Sequence, residues 1–225
     1  KERIMNEPEF LNYYGLKLLY EGNFEDGWKY YEYRNSKITD FFKDIKEWTG
    51  EKIEKKSIVV FNEQGIGDSI QFSKYIIPLT KLAQNVTFAV QTNIQSIFKK
   101  DIHNLSIGTI KDCKNKKFDF KIPLGSLIKF FFKKKFDKSE NLLQTNKNND
   151  FKWKERISKN KLNVGIVWSG SYNGANEPYR SVPLKSLKKI LSLNANFYCL
   201  QNEIWDRDKD DFQSLDLIDC GKYKL

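Results

Sequence analysis

The residues of this chain best suited to chemistry stand in one short turn, Glu63-Gln64-Gly65-Ile66-Gly67-Asp68-Ser69. A carboxylate beside an attacking hydroxyl can take its proton, so an acid placed here is a candidate general base. The apolar run Ser57 to Asn62 precedes the turn, and helical spacing resumes after it. The segment therefore reads as strand, glycine turn, helix. In open α/β sheets ligands bind outside the carboxyl ends of the strands, which makes Asp68 the leading catalytic candidate, with Glu63, Gln64, Gly65 and Gly67 forming its loop. A second role fits the same spacing, because Asp ahead of an apolar periodic stretch is a favoured helix N-cap, contributing about 1 kcal/mol. The two roles are compatible. A dinucleotide cradle is not expected: the third position of Gly-x-Gly-x-x-Gly is Ile70, and Glu63 and Asp68 stand where phosphate requires bare N–H groups.

Other chemistries are thinly supplied. Cys113, Cys199 and Cys220 are far apart and lack Cys-x-x-Cys spacing, so they support neither a disulfide framework nor a zinc site and suit a reducing cytoplasm. The single histidine, His103, excludes metal sites built on paired histidines and reads as a surface residue in a polar stretch. No stretch approaches about 18 consecutive apolar residues, and Lys1 to Met5 has no signal-peptide core. Stable membrane insertion is not expected, and Met5 points to an internal start.

The balance of 39 Lys+Arg against 29 Asp+Glu gives +10, which would suit a polyanion or an anionic surface. The excess is mostly lysine scattered among Asn, Ile and Phe and reads as compositional bias, since phosphate clamping and base readout favour arginine. No nucleic-acid partner is expected. The densest basic run, Lys129 to Lys135, encloses Phe130, Phe131 and Phe132. It could serve nucleic acid or a membrane surface; the commoner outcome is an amphipathic helix that packs its phenylalanines.

These residues need a frame, and 225 residues with 40% hydrophobic and 15% aromatic content can build one or two cores. Residues 9 to 34 show two helical faces, Phe10, Tyr13, Tyr14, Leu16, Leu18, Leu19 and then Phe24, Trp28, Tyr31, separated by Glu21-Gly22-Asn23. From residue 57 strands and helices alternate, with strands at 57–62, 86–91, 105–110 and 118–122 and helices at 69–83, 93–100 and 124–133. Pro78 should kink the first helix. The aperiodic, polar stretch 134–150 reads as a linker. Strands at 163–168, 196–201 and 216–219, with helices at 183–193 and 204–214, then start a second α/β unit. The expected class is α/β: a helical hairpin over 1–45, a Rossmann-like lobe over 46–133, a linker over 134–160 and an incomplete second Rossmann-like lobe over 161–225.

Several segments together carry a resemblance: Glu21 to Trp28 with Tyr33-Arg34, Trp48-Thr49-Gly50-Glu51, Glu63 to Phe72, Val164 to Gly170, Arg180-Ser181-Val182-Pro183-Leu184, and Leu200-Gln201. In this order they resemble bacterial tetratricopeptide-repeat proteins carrying a heptosyltransferase-like glycosyltransferase domain. Gly27 stands where the repeat usually has Ala. Such repeats stack to bury their faces, so the hairpin is expected to end a longer array or cap the following domain. The resemblance implies a GT-B architecture, an acceptor lobe followed by a nucleotide-sugar donor lobe, and inverting transfer without a metal or cofactor. It assigns Asp68 as the base and Trp168, Ser169, Gly170, Arg180 and Ser181 to the donor side, where Arg180 would offset charge on the leaving diphosphate. Ordinary structural roles stand beside these: Trp168 packed between strand and helix, Ser181 capping helix 183–193, Arg180 paired with Glu177. The implied partners are a nucleotide sugar, a glycan or protein acceptor, and a protein bound through repeats. The family continues past a strand like Leu217-Ile218-Asp219 with further donor-site segments, so a piece truncated at both ends is expected, with little or no transferase activity of its own. A non-catalytic repeat scaffold is the competing expectation.

Overall fold

The structure is a computed structural model that describes residues 7–34, 42–137, 140–145, 147–170 and 180–220. Helix α1 (Pro8–Tyr20) opens on a proline, whose missing N–H would be unbonded in a first turn anyway. It closes at Gly22, which adopts φ 83°. The Gly22 and Asn23 amides donate back to the Leu19 and Leu18 carbonyls, the pattern that satisfies the last carbonyls of a helix. Asn23 then caps α2 (Phe24–Tyr31), its Oδ1 accepting from the Asp26 amide at 3.3 Å. The helices form an antiparallel hairpin so close that a Cβ on Gly15 would lie 2.8 Å from the Tyr31 amide nitrogen. The helical spacing holds, but the face is not all inward: Leu18 and Tyr31 are buried, whereas Phe10, Tyr13, Tyr14 and Leu16 are exposed.

Past the hairpin come β1 (Lys46–Glu47), β2 (Ser57–Phe61), α3 (Ile66–Phe72), α4 (Ile76–Thr80), β3 (Asn85–Ala89), β4 (Leu105–Gly108), α5 (Ile110–Cys113), β5 (Phe120–Pro123) and α6 (Ile128–Phe131). The strands form one parallel sheet in the order β1-β5-β2-β3-β4. Parallel strands covered on both faces read as continuous apolar runs, and Ile58 to Phe61 are fully buried. Ile58 and Val60 join the larger core with Phe72, Ile76 and Leu79, while Val59 and Phe61 meet Phe42 and Cys113 on the other face.

The helix expected over 69–83 starts earlier, at Ile66, and breaks at a 3-10 turn, Ser73–Tyr75, before α4 resumes. Pro78 has no N–H for the Lys74 carbonyl and its ring crowds that oxygen, so the break falls one turn ahead of the proline. The helices expected at 93–100 and 124–133 are also tighter and shorter, with 3-10 turns over Thr92–Ile97 and Leu124–Leu127.

The chain divides into two compact units between Thr145 and Asn146, inside the stretch read as a linker. That stretch is ordered on both sides of the division. Leu142 is buried and Leu143 bridges Phe98, while α7 (Lys147–Arg156) is helical. The second unit continues with β6 (Leu162–Ile166), α8 (Lys188–Leu191), β7 (Ala195–Cys199), α9 (Lys209–Ser214) and β8 (Ile218–Asp219). Its strands make a parallel sheet in the order β6-β7-β8 over a core of Trp168, Leu184, Leu191, Phe197 and Cys199. The fold is thus mixed α/β with two parallel sheets, consistent with a Rossmann-like class.

Candidate functional site

Chain direction locates a crevice in the first sheet. β3 and β4 are laid down on one side of β2, and the chain then crosses to place β5 on the other. The switch point is therefore between β2 and β5, and the turns at their carboxyl ends, 62–68 and 124–127, border the position where such sheets bind ligands.

Asp68 sits on the first of these turns. Because α3 begins at Ile66, Gly65 is the N-cap, and Asp68 reaches back from the first helical turn to accept the Gly65 amide with Oδ2 at 3.0 Å. Its Oδ1 makes no hydrogen bond among the described residues. One oxygen of the carboxylate thus caps the helix and the other stays open to the surface. Beside it the surface is open, since a Cβ on Gly67 would meet nothing within 4 Å. The turn is held from within by Asn62, which donates to the Gln64 carbonyl at 3.1 Å and to Ser69 Oγ, and from the β3 side by Gln91, which donates to the same carbonyl at 3.2 Å.

Glu63 and Gln64 point to the hairpin. The Glu63 side chain is buried, and its Oε1 accepts from Arg34 Nη2 at 2.8 Å, Arg34 Nε at 3.1 Å and the Gly125 amide at 3.1 Å. Gln64 Oε1 accepts from the Tyr31 hydroxyl at 2.8 Å. Arg34 also donates to Ser126 Oγ at 2.8 Å, the Tyr31 carbonyl at 3.2 Å and Glu32 Oε1 at 2.9 Å. The hairpin thus fills the switch-point crevice with a guanidinium. Burial works against the Arg34 charge, but Glu63 and Glu32 outweigh it and hold its pKa above the ordinary value. Burial pushes the Glu32 carboxyl up, and Lys129 with Arg34 overcomes it to leave the pKa lowered. For the Tyr31 hydroxyl burial prevails and its pKa is raised.

The basic aromatic run belongs to the same docking. Lys129 pairs with Glu32 at 2.6 Å, Lys133 with Glu25 at 2.8 Å and Lys134 with Glu140 at 2.5 Å, while Phe130 packs on Trp48. Those three charges are neutralised internally and the phenylalanines are packed.

In the second unit the residues after β6 meet those after β7. Gln201 is buried, and its Oε1 accepts from the Trp168 and Ser169 amides at 3.2 and 3.3 Å. Its Nε2 donates to Ser169 Oγ at 2.7 Å and the Glu203 carbonyl at 3.1 Å. This brace floors a cavity of about 340 Å³ lined by Val167, Ser169, Gly170, Leu200, Gln201, Asn202 and Glu203. Trp168 packs inward, stacking near Phe212 and donating from Nε1 to the fully buried Asp208 at 3.1 Å. Ser181 does not cap the following helix; its Oγ accepts the Gly170 amide at 3.0 Å. Arg180 is exposed and makes no hydrogen bond or ion pair among the described residues; the pairing considered with Glu177 lies outside them.

Arg34, Gly125 and Ser126 in one unit, and Gln201 and Asp208 in the other, were assigned no role from sequence. The only trace was that Arg34 and Gln201 fell inside resembling segments. His103 is exposed in the turn before β4, at the opposite end of the sheet from Asp68. Burial pushes the Cys113 and Cys199 thiols up, away from the reactive thiolate. Among the described residues no group of three or more His, Cys, Asp or Glu could hold a metal, and no helix is long and apolar enough to cross a membrane. No protein-family model, curated protein or solved structure matches the chain.

Proposed function

We propose that this chain carries a site for metal-independent glycosyl transfer from a nucleotide sugar, with Asp68 as general base. The reading rests on one observation above others: an open polar cavity at the carboxyl ends of two adjacent parallel strands, the place where Rossmann-like units receive nucleotides. Ser169, Gly170 and the Gln201–Glu203 segment form the donor seat. Glu203 offers a carboxylate for ribose hydroxyls, and Arg180, close in sequence to Ser181, is free to meet a diphosphate with its fork of donors. Asp68 keeps Oδ1 for the acceptor's proton while Oδ2 fixes the side chain. The acceptor is a glycan or a protein hydroxyl. No cofactor enters the reaction.

A second reading, a non-catalytic protein-binding module, is favoured by the hairpin, where Tyr13, Leu16 and Tyr20 expose an apolar stripe at helical spacing. A thermal-shift panel of UDP, GDP, ADP and CMP separates the two, since a ligand at 100 times its dissociation constant adds about 2.7 kcal/mol to stability. One nucleotide should stabilise the chain and lose its effect in Gln201→Ala. Silence across the panel, both here and in a chain extended through the donor-site segments that the resemblance implies, transfers the assignment to the binding module.

A further inference from the structure

We infer that Arg34 is a positioning residue for the turn that carries Asp68, so that the hairpin and the turn open and close as one unit. The inference draws its functional meaning from the proposed role of Asp68; its structural content stands on the contacts alone.

A buried ion pair is a weak source of stability, because apolar groups of similar volume often do as well. What a guanidinium adds is geometry: five donors in a rigid fork. Arg34 uses that fork on three separate segments, the end of α2 through the Tyr31 carbonyl and Glu32, the turn after β2 through Glu63, and the turn after β5 through Ser126. The crevice is filled to contact. A Cβ on Gly125 would come within 2.8 Å of Glu63 Oε1 and 3.0 Å of Arg34 Nη2. The next residue repeats the attachment through Tyr31 and Gln64. One residue further, the Gly65 amide meets Asp68, and the Gly65 carbonyl accepts from the Ser69 amide and hydroxyl. Hairpin and carboxylate are therefore joined through three consecutive residues, 63 to 65. Lysine would keep the charge of Arg34 and lose the fork.

Native-state hydrogen exchange on the unmodified chain tests this directly. The Gly65 and Gly125 amides should exchange with the same denaturant dependence as the Asn23 and Gly27 amides of the hairpin, and separately from Val86 and Val90 in the sheet. In Arg34→Lys, exchange at Gly65 and Gly125 should quicken about tenfold or more, the loss of one charge-assisted hydrogen bond, while Val86 and Val90 hold their rates. The shift of the Gly65 amide proton on protonating Asp68 should also collapse in that variant. Hairpin amides that exchange while Gly65 and Gly125 stay at the level of the sheet overturn the inference, as does uniform acceleration of all four in the variant. If Arg34→Lys does not fold, the unmodified chain decides alone. Failure of the transferase reading looks different: turnover unaffected by Asp68→Asn removes the catalytic role and leaves the coupling in place.

Discussion

Each unit of this protein has a crevice at the carboxyl ends of its parallel strands, and the two are treated in opposite ways. In the first sheet the crevice between β2 and β5 is filled by the chain itself, through Arg34 held by Glu63 and Ser126. In the second, Gln201 braces the loop after β6 from below and leaves a cavity of about 340 Å³ above it. Position in the fold thus nominates a ligand site, but the side chains from elsewhere decide whether it stays open. The first crevice is used to fix the turn that carries Asp68; the second is left open among the described residues.

The comparison can be broken at the charge. Arg34→Ala leaves Glu63 buried without its partner and should cost about 3–5 kcal/mol of stability in the first unit, read from urea denaturation; a cost near zero would mean that the crevice is not closed as described. Placed in a longer protein that carries the further donor-site segments, Asp68→Asn preserves shape and should lower nucleotide-sugar turnover by about a hundredfold or more, with circular dichroism unchanged. Turnover equal to that of the unmodified protein excludes Asp68 as the base. In the open crevice Gln201→Ala removes no charge and orphans neutral amides, for an expected cost of about 1–3 kcal/mol. A larger loss here than at Arg34 would invert the contrast.

Acid should weaken the closed side. The Glu32 pKa is lowered from 4.5 by Lys129 and Arg34, so its contribution is fully present above that ordinary value and is lost as pH falls through the lowered one. The difference in melting temperature between the unmodified chain and Glu32→Gln should shrink as pH falls below the ordinary carboxylate value of 4.5; a difference that grows on acidification contradicts the assignment. The smallest effect is expected at Gly67, where an added Cβ meets nothing. Gly67→Ala should change stability by no more than about 0.5 kcal/mol, so a larger change in a denaturation curve would show that the space beside Asp68 is already used.

How much of this was legible follows from the distance over which each signal acts. The strands around Ile58–Phe61 and Val86–Ala89 are plain, because burial on both faces demands apolar runs, interrupted in the second only by Thr87. The hairpin was plain as well, since Gly22 and Asn23 act on neighbours a few residues away. β1, two residues long and paired only with β5, carries no pattern of its own. Helix α7 leaves little trace, because Lys147–Arg156 has only Phe151 and Trp153 among polar residues, two apart, and no apolar stripe at helical spacing. The spacing puts the turn bearing Asp68 at a strand end, as found, but reads Asp68 as the cap; Gly65 is the cap, and the helix starts three residues earlier, at Ile66. The braces were invisible for a different reason. Arg34 meets Glu63 across 29 residues, and Gln201 meets Ser169 across 32, and no local periodicity reports contacts made only when the sheet assembles.

The most direct test of the central claim is where a nucleotide lands. We would titrate the isotopically labelled chain with the nucleotide that gives the strongest thermal shift and follow amide resonances residue by residue. Movement at Ser169, Gly170 and Gln201–Glu203, with Glu63, Gly125 and Ser126 still, is the predicted result. Movement centred on Glu63, Gly125 and Ser126, or none at the residues around Gln201, would contradict the account.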